Sequence, residues 1–68
     1  MGVGYDLGEL GRRVRRLRKA LGLNQSEIGD RARLSQPRIC QIERGKLKGP
    51  IPERTLVDLA DALGVRLV

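Results

Sequence analysis

Histidine, tryptophan and phenylalanine are absent from this 68-residue chain, and cysteine and tyrosine occur once each. Without histidine, and with Cys40 as the single thiol, the chain can form no Cys/His zinc site, no histidine-based catalytic triad and no internal disulfide. It has no apolar run of about eighteen residues, which a transmembrane helix needs, and residues 1–6 lack the apolar stretch of a signal peptide. The sequence therefore predicts a small, soluble, basic domain with no metal, no cofactor and no catalytic residue.

The positive charge is concentrated in the middle of the chain. The net charge is +6, from 14 Lys or Arg and 8 Asp or Glu. Residues 12–48 hold twelve of these cations and three of the acids, a net of +9, and the segments on either side are weakly acidic. A field concentrated in this way attracts polyanions, of which nucleic acid is the common one. The lack of stacking aromatics argues against single strands, and a merely solvated basic surface is the alternative.

A stripe of apolar residues predicts the first helix. Its members recur at spacings of three and four residues: Leu7, Leu10, Val14, Leu17 and Leu21. Gly22 then supplies the left-handed position at which helices commonly end. Because the other face is rich in arginine, a helix lying on a membrane surface is a rival interpretation, but the apolar face has no Trp or Phe anchor.

Asn24 and Glu27 predict the start of a short second helix, roughly residues 25–33. The Asn24 side chain can accept the Glu27 N–H while the Glu27 carboxylate reaches back, as in a capping box. Gly29 lies inside this helix, where glycine costs about 1 kcal/mol relative to alanine. We expect it to mark a close crossing of two helices; simple tolerance of glycine in a weak helix is the alternative.

A third helix is predicted between Ser35 and Gly45. Ser35 is a good N-cap, and Pro37 fits the first turn because no intrahelical N–H bond is lost there. At helical spacing Ile39 and Ile42 point inward together. Gly45 then ends the helix.

A loop rich in proline and glycine, residues 46–52, precedes a fourth helix that begins at about Glu53 and ends at Gly64. Its apolar stripe comprises Leu56, Leu59, Ala60 and Leu63. The apolar residues 65–68 look like the start of a further element. We therefore predict an all-α chain, a single domain over residues 1–68 with four helices and the beginning of a fifth.

Two short helices joined by a tight turn in a basic segment are typical of a helix-turn-helix. Three blocks of sequence carry a more specific resemblance: LGLNQSEI at residues 21–28, LSQPRICQIERG at 34–45 and LADALGV at 59–65. In this order and spacing they closely resemble the lambda-repressor-like (XRE, or Cro/CI-type) helix-turn-helix family, over about residues 7–65. The resemblance implies a compact bundle of four to five helices with its helix-turn-helix unit at about residues 24–44.

The resemblance also implies a function and a location. It predicts a sequence-specific regulator of transcription, most often a repressor in this family, that binds a palindromic operator in double-stranded DNA as a homodimer. Such a protein would be cytoplasmic, of bacterial or phage type, and associated with the nucleoid. The alternatives are an antitoxin-type or other protein-interaction component that also binds DNA, with a toxin as its partner, the DNA-binding part of a larger protein, or RNA association. An enzyme is the least expected, since Glu27 and Asp30 have no catalytic partner.

The third helix would enter the major groove and present its N-terminal residues to the bases. With its isoleucines inward, the predicted base-contacting residues are Gln36, Pro37, Arg38, Cys40 and Gln41. The amide of Gln36 suits a bidentate contact to adenine, and Gln41 could make a second one a turn later. Arg38 could reach a phosphate or a guanine. Pro37 is expected mainly to fix the helix start, and Cys40 to be a small residue facing the groove.

Phosphate contacts are expected on both sides of this helix, from Asn24, Gln25, Arg44, Lys46 and Lys48. The first two lie at the start of the second helix, where free N–H groups and the helix dipole favour anions. The family also implies a structural ion pair between Arg18 and Glu43, which would orient helices rather than contact DNA.

Two positions depart from the family pattern. Arg33 stands in the turn where the family usually has glycine, and a non-glycine residue in a left-handed conformation is uncommon. The turn is therefore expected to be strained or differently shaped. The loop at residues 46–52 is longer than is typical, so the resemblance does not specify which residue of this loop contacts a phosphate.

Overall fold

A computed structural model describes residues 6–65, and over this range the chain contains four α-helices and no β-strand. The helices are α1 (Leu7–Ala20), α2 (Gln25–Ala32), α3 (Gln36–Arg44) and α4 (Glu53–Leu63). The predicted all-α class and the four predicted helices are confirmed. The predicted beginning of a fifth element falls mostly on residues that lie outside the described range. None of the helices in residues 6–65 is long and apolar enough to cross a membrane.

Local side-chain chemistry fixes three of the four helix starts. Asp6 accepts the first-turn N–H groups of α1 at 2.8 and 3.3 Å. Asn24 and Glu27 form the predicted capping box of α2, with both hydrogen bonds at 2.8 Å. Ser35 accepts the N–H of Arg38 at 3.3 Å at the start of α3. Because each cap is close in sequence to the helix that it begins, these boundaries follow from the sequence.

The turn between α2 and α3 keeps the left-handed shape in spite of its arginine. Arg33 has φ 60° and ψ 40°, and it is the one non-glycine residue with positive φ in residues 6–65. It ends α2 at Ala32, one residue before the predicted boundary. The N–H of Leu34 then donates to the carbonyl oxygen of Gly29 at 2.8 Å, which closes the turn. The conformation is therefore the one that suits glycine, and not a different turn.

Gly29 does not mark the predicted helix crossing. A Cβ at Gly29 would lie 2.6 Å from the carbonyl oxygen of Leu34, so glycine is required there by the adjoining turn. The close crossing is at Gly11 of α1, where a Cβ would fall on the carbonyl oxygen of Ile42 and lie 2.7 Å from that of Glu43. The backbones of α1 and α3 therefore meet directly at Gly11, a position that the sequence pattern did not single out.

One apolar core joins the four helices and the loop before α4. Its buried members are Leu10, Val14, Ile28, Ala32, Ile39, Ile42, Ile51, Leu56, Leu59 and Leu63. α1 packs mainly on α3, and α2 packs on both α3 and α4. The assignment of Leu21 to the apolar stripe was wrong, since Leu21 follows the last residue of α1 and is 49% exposed. Ile51 anchors the loop in the core and so holds residues 46–50 beside α3.

Candidate nucleic-acid interface

α3 presents a polar face to solvent while its other side enters the core. Ile39, Ile42 and Glu43 are buried. The predicted base-contacting residues lie on the outer side, where Cys40 is half-buried and the others are exposed: Gln36, Pro37, Arg38 and Gln41. Arg44 is exposed at the end of the same helix. The helix therefore offers a row of hydrogen-bonding side chains that a duplex can reach.

The side chain of Gln36 is held by a neighbour on α2. Its Nε2 donates to Oε1 of Gln25 at 2.6 Å, and Nε2 of Gln25 donates to Oε1 of Glu43 at 3.0 Å. A glutamine amide has two N–H donors and one carbonyl acceptor. Gln36 therefore keeps one donor and its carbonyl oxygen for another partner. The link joins residues eleven apart in the chain, and no motif in the sequence indicates it.

Arg18 and Glu43 form a buried, bidentate ion pair. Arg18 Nε lies 2.6 Å from one carboxylate oxygen and Nη2 lies 3.0 Å from the other, with 10% and 3% of the two side chains exposed. Arg18 also donates through Nη1 to the carbonyl oxygen of Leu23 at 2.8 Å. The pair consequently ties α1 and the segment before α2 to α3.

The surroundings keep both members of this pair charged. Burial alone would raise the pKa of the Glu43 carboxyl, but hydrogen bonds from Arg18 and Gln25 and the positive charges of Arg18 and Arg15 outweigh it, so this pKa lies below its ordinary value. The hydrogen bond to Glu43 raises the pKa of Arg18 by more than burial lowers it. The carboxylate therefore remains ionised at neutral pH, and its hydrogen bond to Gln25 persists.

Two cationic cavities flank the exposed face of α3. A cavity of about 280 Å³ lies between Arg38, Gln41 and the loop residues 46–50, which include the two predicted lysines. A second, of about 160 Å³, is lined by residues from three helices: Arg15, Arg18, Gln25, Glu43 and Arg44. Because successive residues of a helix are rotated by about 100°, Arg38 and Glu43 lie on opposite sides of α3. Positive charge therefore borders the helix on both sides.

The N-terminus of α2 lies beside the second cavity. Gln25 is the first residue of α2 and lines that cavity, and Asn24 is exposed one residue earlier. The Asn24 side-chain oxygen serves the capping box, which leaves its amide N–H groups for another partner. The side-chain amide of Gln25 accepts from Gln36 and donates once to Glu43, which leaves one side-chain N–H and the backbone N–H of Gln25 for a phosphate contact. In residues 6–65 no group of three or more His, Cys, Asp or Glu could hold a metal ion.

Comparison with known proteins identifies this arrangement. The family model of the helix-turn-helix domain matches residues 9–67. The chain belongs to the helix-turn-helix family. The restriction-modification controller protein C.AhdI from Aeromonas hydrophila is similar in sequence and structure, with 31% identity over 91% of each chain and a TM-score of 0.83. The resemblance to lambda-repressor-like regulators is thereby confirmed.

Two structures of the clp gene regulator ClgR from Corynebacterium glutamicum share the helix-turn-helix fold. One matches with a TM-score of 0.81, over 96% of this chain and 82% of that chain. The other matches with a TM-score of 0.83, over 94% of this chain and 66% of that chain. Both are 23% identical in sequence and support the fold alone. Family membership and the likeness to C.AhdI establish that the chain is a DNA-binding regulator of transcription.

Proposed function

We propose that this helix-turn-helix protein represses transcription by binding a palindromic operator as a homodimer, with α3 in the major groove. The observation that carries the proposal is the exposed face of α3, which bears two glutamines and is bordered by a cationic cavity on each side. A major groove has the matching features, with base edges at its floor and a phosphate strand along each wall.

Gln36 has the donor and acceptor pattern that adenine requires. Adenine presents N7 as an acceptor and the N6 amino group as a donor in the major groove. The N–H and carbonyl oxygen that Gln36 does not use with Gln25 complement that pair. Gln41 repeats the chemistry further along the helix, and Arg38 can contact guanine or a phosphate at the edge of the face.

The phosphates of the two strands would meet different parts of the protein. Lys46 and Lys48 line the larger cavity and would bind one strand beside α3. Arg44 and the start of α2, at Asn24 and Gln25, would bind the other strand. Such contacts position the helix but carry no sequence information.

The short reach of α3 supports binding by two copies. α3 has nine residues, so it is about 14 Å long and can span only about four base pairs. A site of that length recurs too often to give the specificity ratio that a regulator needs. Two copies related by a two-fold axis would contact half-sites about 34 Å apart, and the operator would be palindromic.

Selection of bound sites from random duplex DNA tests this function. We expect a symmetric site containing adenine in each half, and lower transcription when that site is placed across a promoter. Gln36→Ala should cost ~1–3 kcal/mol of binding free energy and relax one position in each half-site. Lys48→Ala is the control, since loss of a phosphate contact should weaken all sequences alike. An asymmetric site would contradict the dimer, and unchanged base preference in Gln36→Ala would contradict the assignment of Gln36.

A further inference from the structure

The cavity beside the start of α2 includes a residue from outside the helix-turn-helix unit. Arg15 belongs to α1, yet it lines the same cavity as Gln25 of α2 and Arg44 of α3. Arg16, the next residue, is rotated by about 100° round the helix, and it is not among the residues that line this cavity. Two adjacent arginines of α1 therefore have different surroundings.

The charge of this cavity is not balanced. Glu43 supplies its one negative charge, and Arg18 neutralises that charge through two hydrogen bonds. Arg15 and Arg44 form no salt bridge with any residue in the described range 6–65. Three arginines and one glutamate therefore give the lining of the cavity a net charge of +2 next to the exposed face of α3.

A phosphate group fits this environment in charge and in position. The first N–H groups of α2 have no intrahelical partner, and the helix dipole adds positive potential at that end. The cavity lies on the side of α3 opposite the loop lysines, where the second strand of the groove would run. These features combine side-chain charge, backbone donors and an open cavity of about 160 Å³.

We propose that Arg15 and Arg44 together bind one phosphate of the DNA backbone in this cavity. α1 thereby contributes a DNA contact of its own, in addition to supporting α3. The inference rests on the proposed mode of DNA binding, because the cavity meets a phosphate strand only when α3 lies in the major groove. Arg18 and Glu43 have a different role in the same place, since their pairing holds the cavity in shape.

Arg15→Ala and Arg16→Ala form a matched pair that tests the proposal. Both variants remove one positive charge from an exposed arginine of α1. We expect Arg15→Ala to lower the affinity for duplex DNA about eightfold at ~0.1 M salt and to reduce the slope of log K against log salt by about 0.9, the effect of one phosphate contact. Arg16→Ala should change the affinity less than about twofold, through the screened general field alone. Equal losses in the two variants would overturn the proposal.

Base preference and overall affinity for duplex DNA distinguish a failure of the Arg15 contact from a failure of the proposed function. Arg15→Ala should weaken the selected duplex and a random duplex by the same factor, so base preference stays as in the parent protein. Failure to select any specific duplex would instead refute the proposed function. Arg15→Lys should restore most of the slope of log K against log salt, because it restores the positive charge. Thermal melting followed by circular dichroism should show that both alanine variants are folded, because alanine favours helix.

Free phosphate is the other source of the same ligand chemistry. Inorganic phosphate titrated at constant ionic strength in the absence of DNA should bind the parent protein no more tightly than it binds Arg15→Ala. Binding of inorganic phosphate that depends on Arg15, together with an unchanged affinity of Arg15→Ala for duplex DNA, would show that the cavity holds a free anion and would overturn the assignment to the DNA backbone.

Discussion

Arg33 has a backbone conformation that glycine adopts at lower energy. Its φ of 60° brings Cβ close to the following carbonyl oxygen. We expect Arg33→Gly to increase the free energy of unfolding by ~0.5–1 kcal/mol. Relief of the backbone strain stabilises the folded state, and the greater conformational entropy of glycine in the unfolded chain offsets part of that gain. Urea denaturation followed by circular dichroism measures the change.

Arg31→Gly is the control for this prediction. Arg31 is exposed within α2, two residues away, and its replacement removes the same charge. Glycine inside a helix should lower the stability by about 1 kcal/mol. The two variants should therefore move the denaturation midpoint in opposite directions, and a decrease in both would show that the left-handed position is not strained.

At the residue scale, short-range chemistry could be predicted and side-chain links between elements could not. The capping box of Asn24 and Glu27 joins residues three apart, so the local sequence contains all of it. The link from Gln36 to Gln25 joins two helices whose separation depends on the tertiary fold. Glutamine is also equally plausible as a solvated side chain, so no pattern in the sequence distinguishes this pair.

The contact between α1 and α3 depends on one glycine. A Cβ at Gly11 would collide with backbone carbonyl groups of α3, which cannot move without shifting the helix. We expect Gly11→Ala to lower the free energy of unfolding by about 3 kcal/mol, the upper end of the usual cost of overpacking. The measurement is again denaturation, here with the amplitude of the helical signal as a check on folding.

Gly8→Ala provides the comparison on the same helix. A Cβ at Gly8 would lie 3.6 Å from Nη1 of Arg12, which is ordinary contact, and 3.2 Å from Oδ1 of Asp6, so the capping carboxylate would have to shift slightly. It would meet no backbone atom of α3. Alanine is the better helix former, which offsets the shift at the cap. We therefore expect little change or a small gain in stability, and a loss as large as that of Gly11→Ala would argue against the crossing as the cause.

At the scale of elements, the number and order of helices could be predicted, whereas their crossings could not. Periodic apolar residues and caps define each helix separately. The pattern pointed to Gly29 for a close crossing, but the same residue type served a turn there and a crossing at Gly11. A glycine can indicate that a Cβ has no room at its position, but only the folded structure shows which atoms occupy that space.

The stability of the whole domain should depend on pH through Glu43. Its pKa is lower in the folded protein than its ordinary value, so its stabilising contribution is complete above about pH 4.3 and is lost as the pH falls through the folded pKa. Because the carboxylate contacts Arg18 of α1 and Gln25 of α2 from its place on α3, its protonation weakens three helices together. Denaturation curves recorded from neutral to acid pH measure this dependence.

Glu43→Gln should remove this part of the pH dependence. The variant leaves Arg18 buried without its counter-ion, so we expect a loss of about 3–5 kcal/mol at neutral pH that shrinks as the parent protein is acidified. Glu53→Gln, at an exposed position in the first turn of α4, removes the same charge and should lose stability at acid pH as the parent protein does. If Glu43→Gln also lost stability at acid pH to the same extent, the role of the ion pair would be contradicted.

At the scale of the molecule, the three sequence blocks carried the family resemblance, and that resemblance implied both the fold class and the ion pair between Arg18 and Glu43. The two cavities required the assembled structure, since their residues come from different helices or from a loop whose path is set by Ile51. The arginine-rich face of the first helix gave no reason to single out Arg15, and only the folded structure places it beside Gln25 and Arg44.

The hydrogen bond between Gln36 and Gln25 has a consequence for discrimination between bases. A free glutamine side chain loses about 1.5–2 kcal/mol of rotational freedom when it is fixed on a partner. Gln36 has its rotamer restricted in the unbound protein, through Gln25 and the charged pair behind it. In the proposed complex with DNA, adenine would therefore meet a preorganised amide. Another base would meet the same amide, which could not rotate to form a different pair of hydrogen bonds without breaking its link to α2.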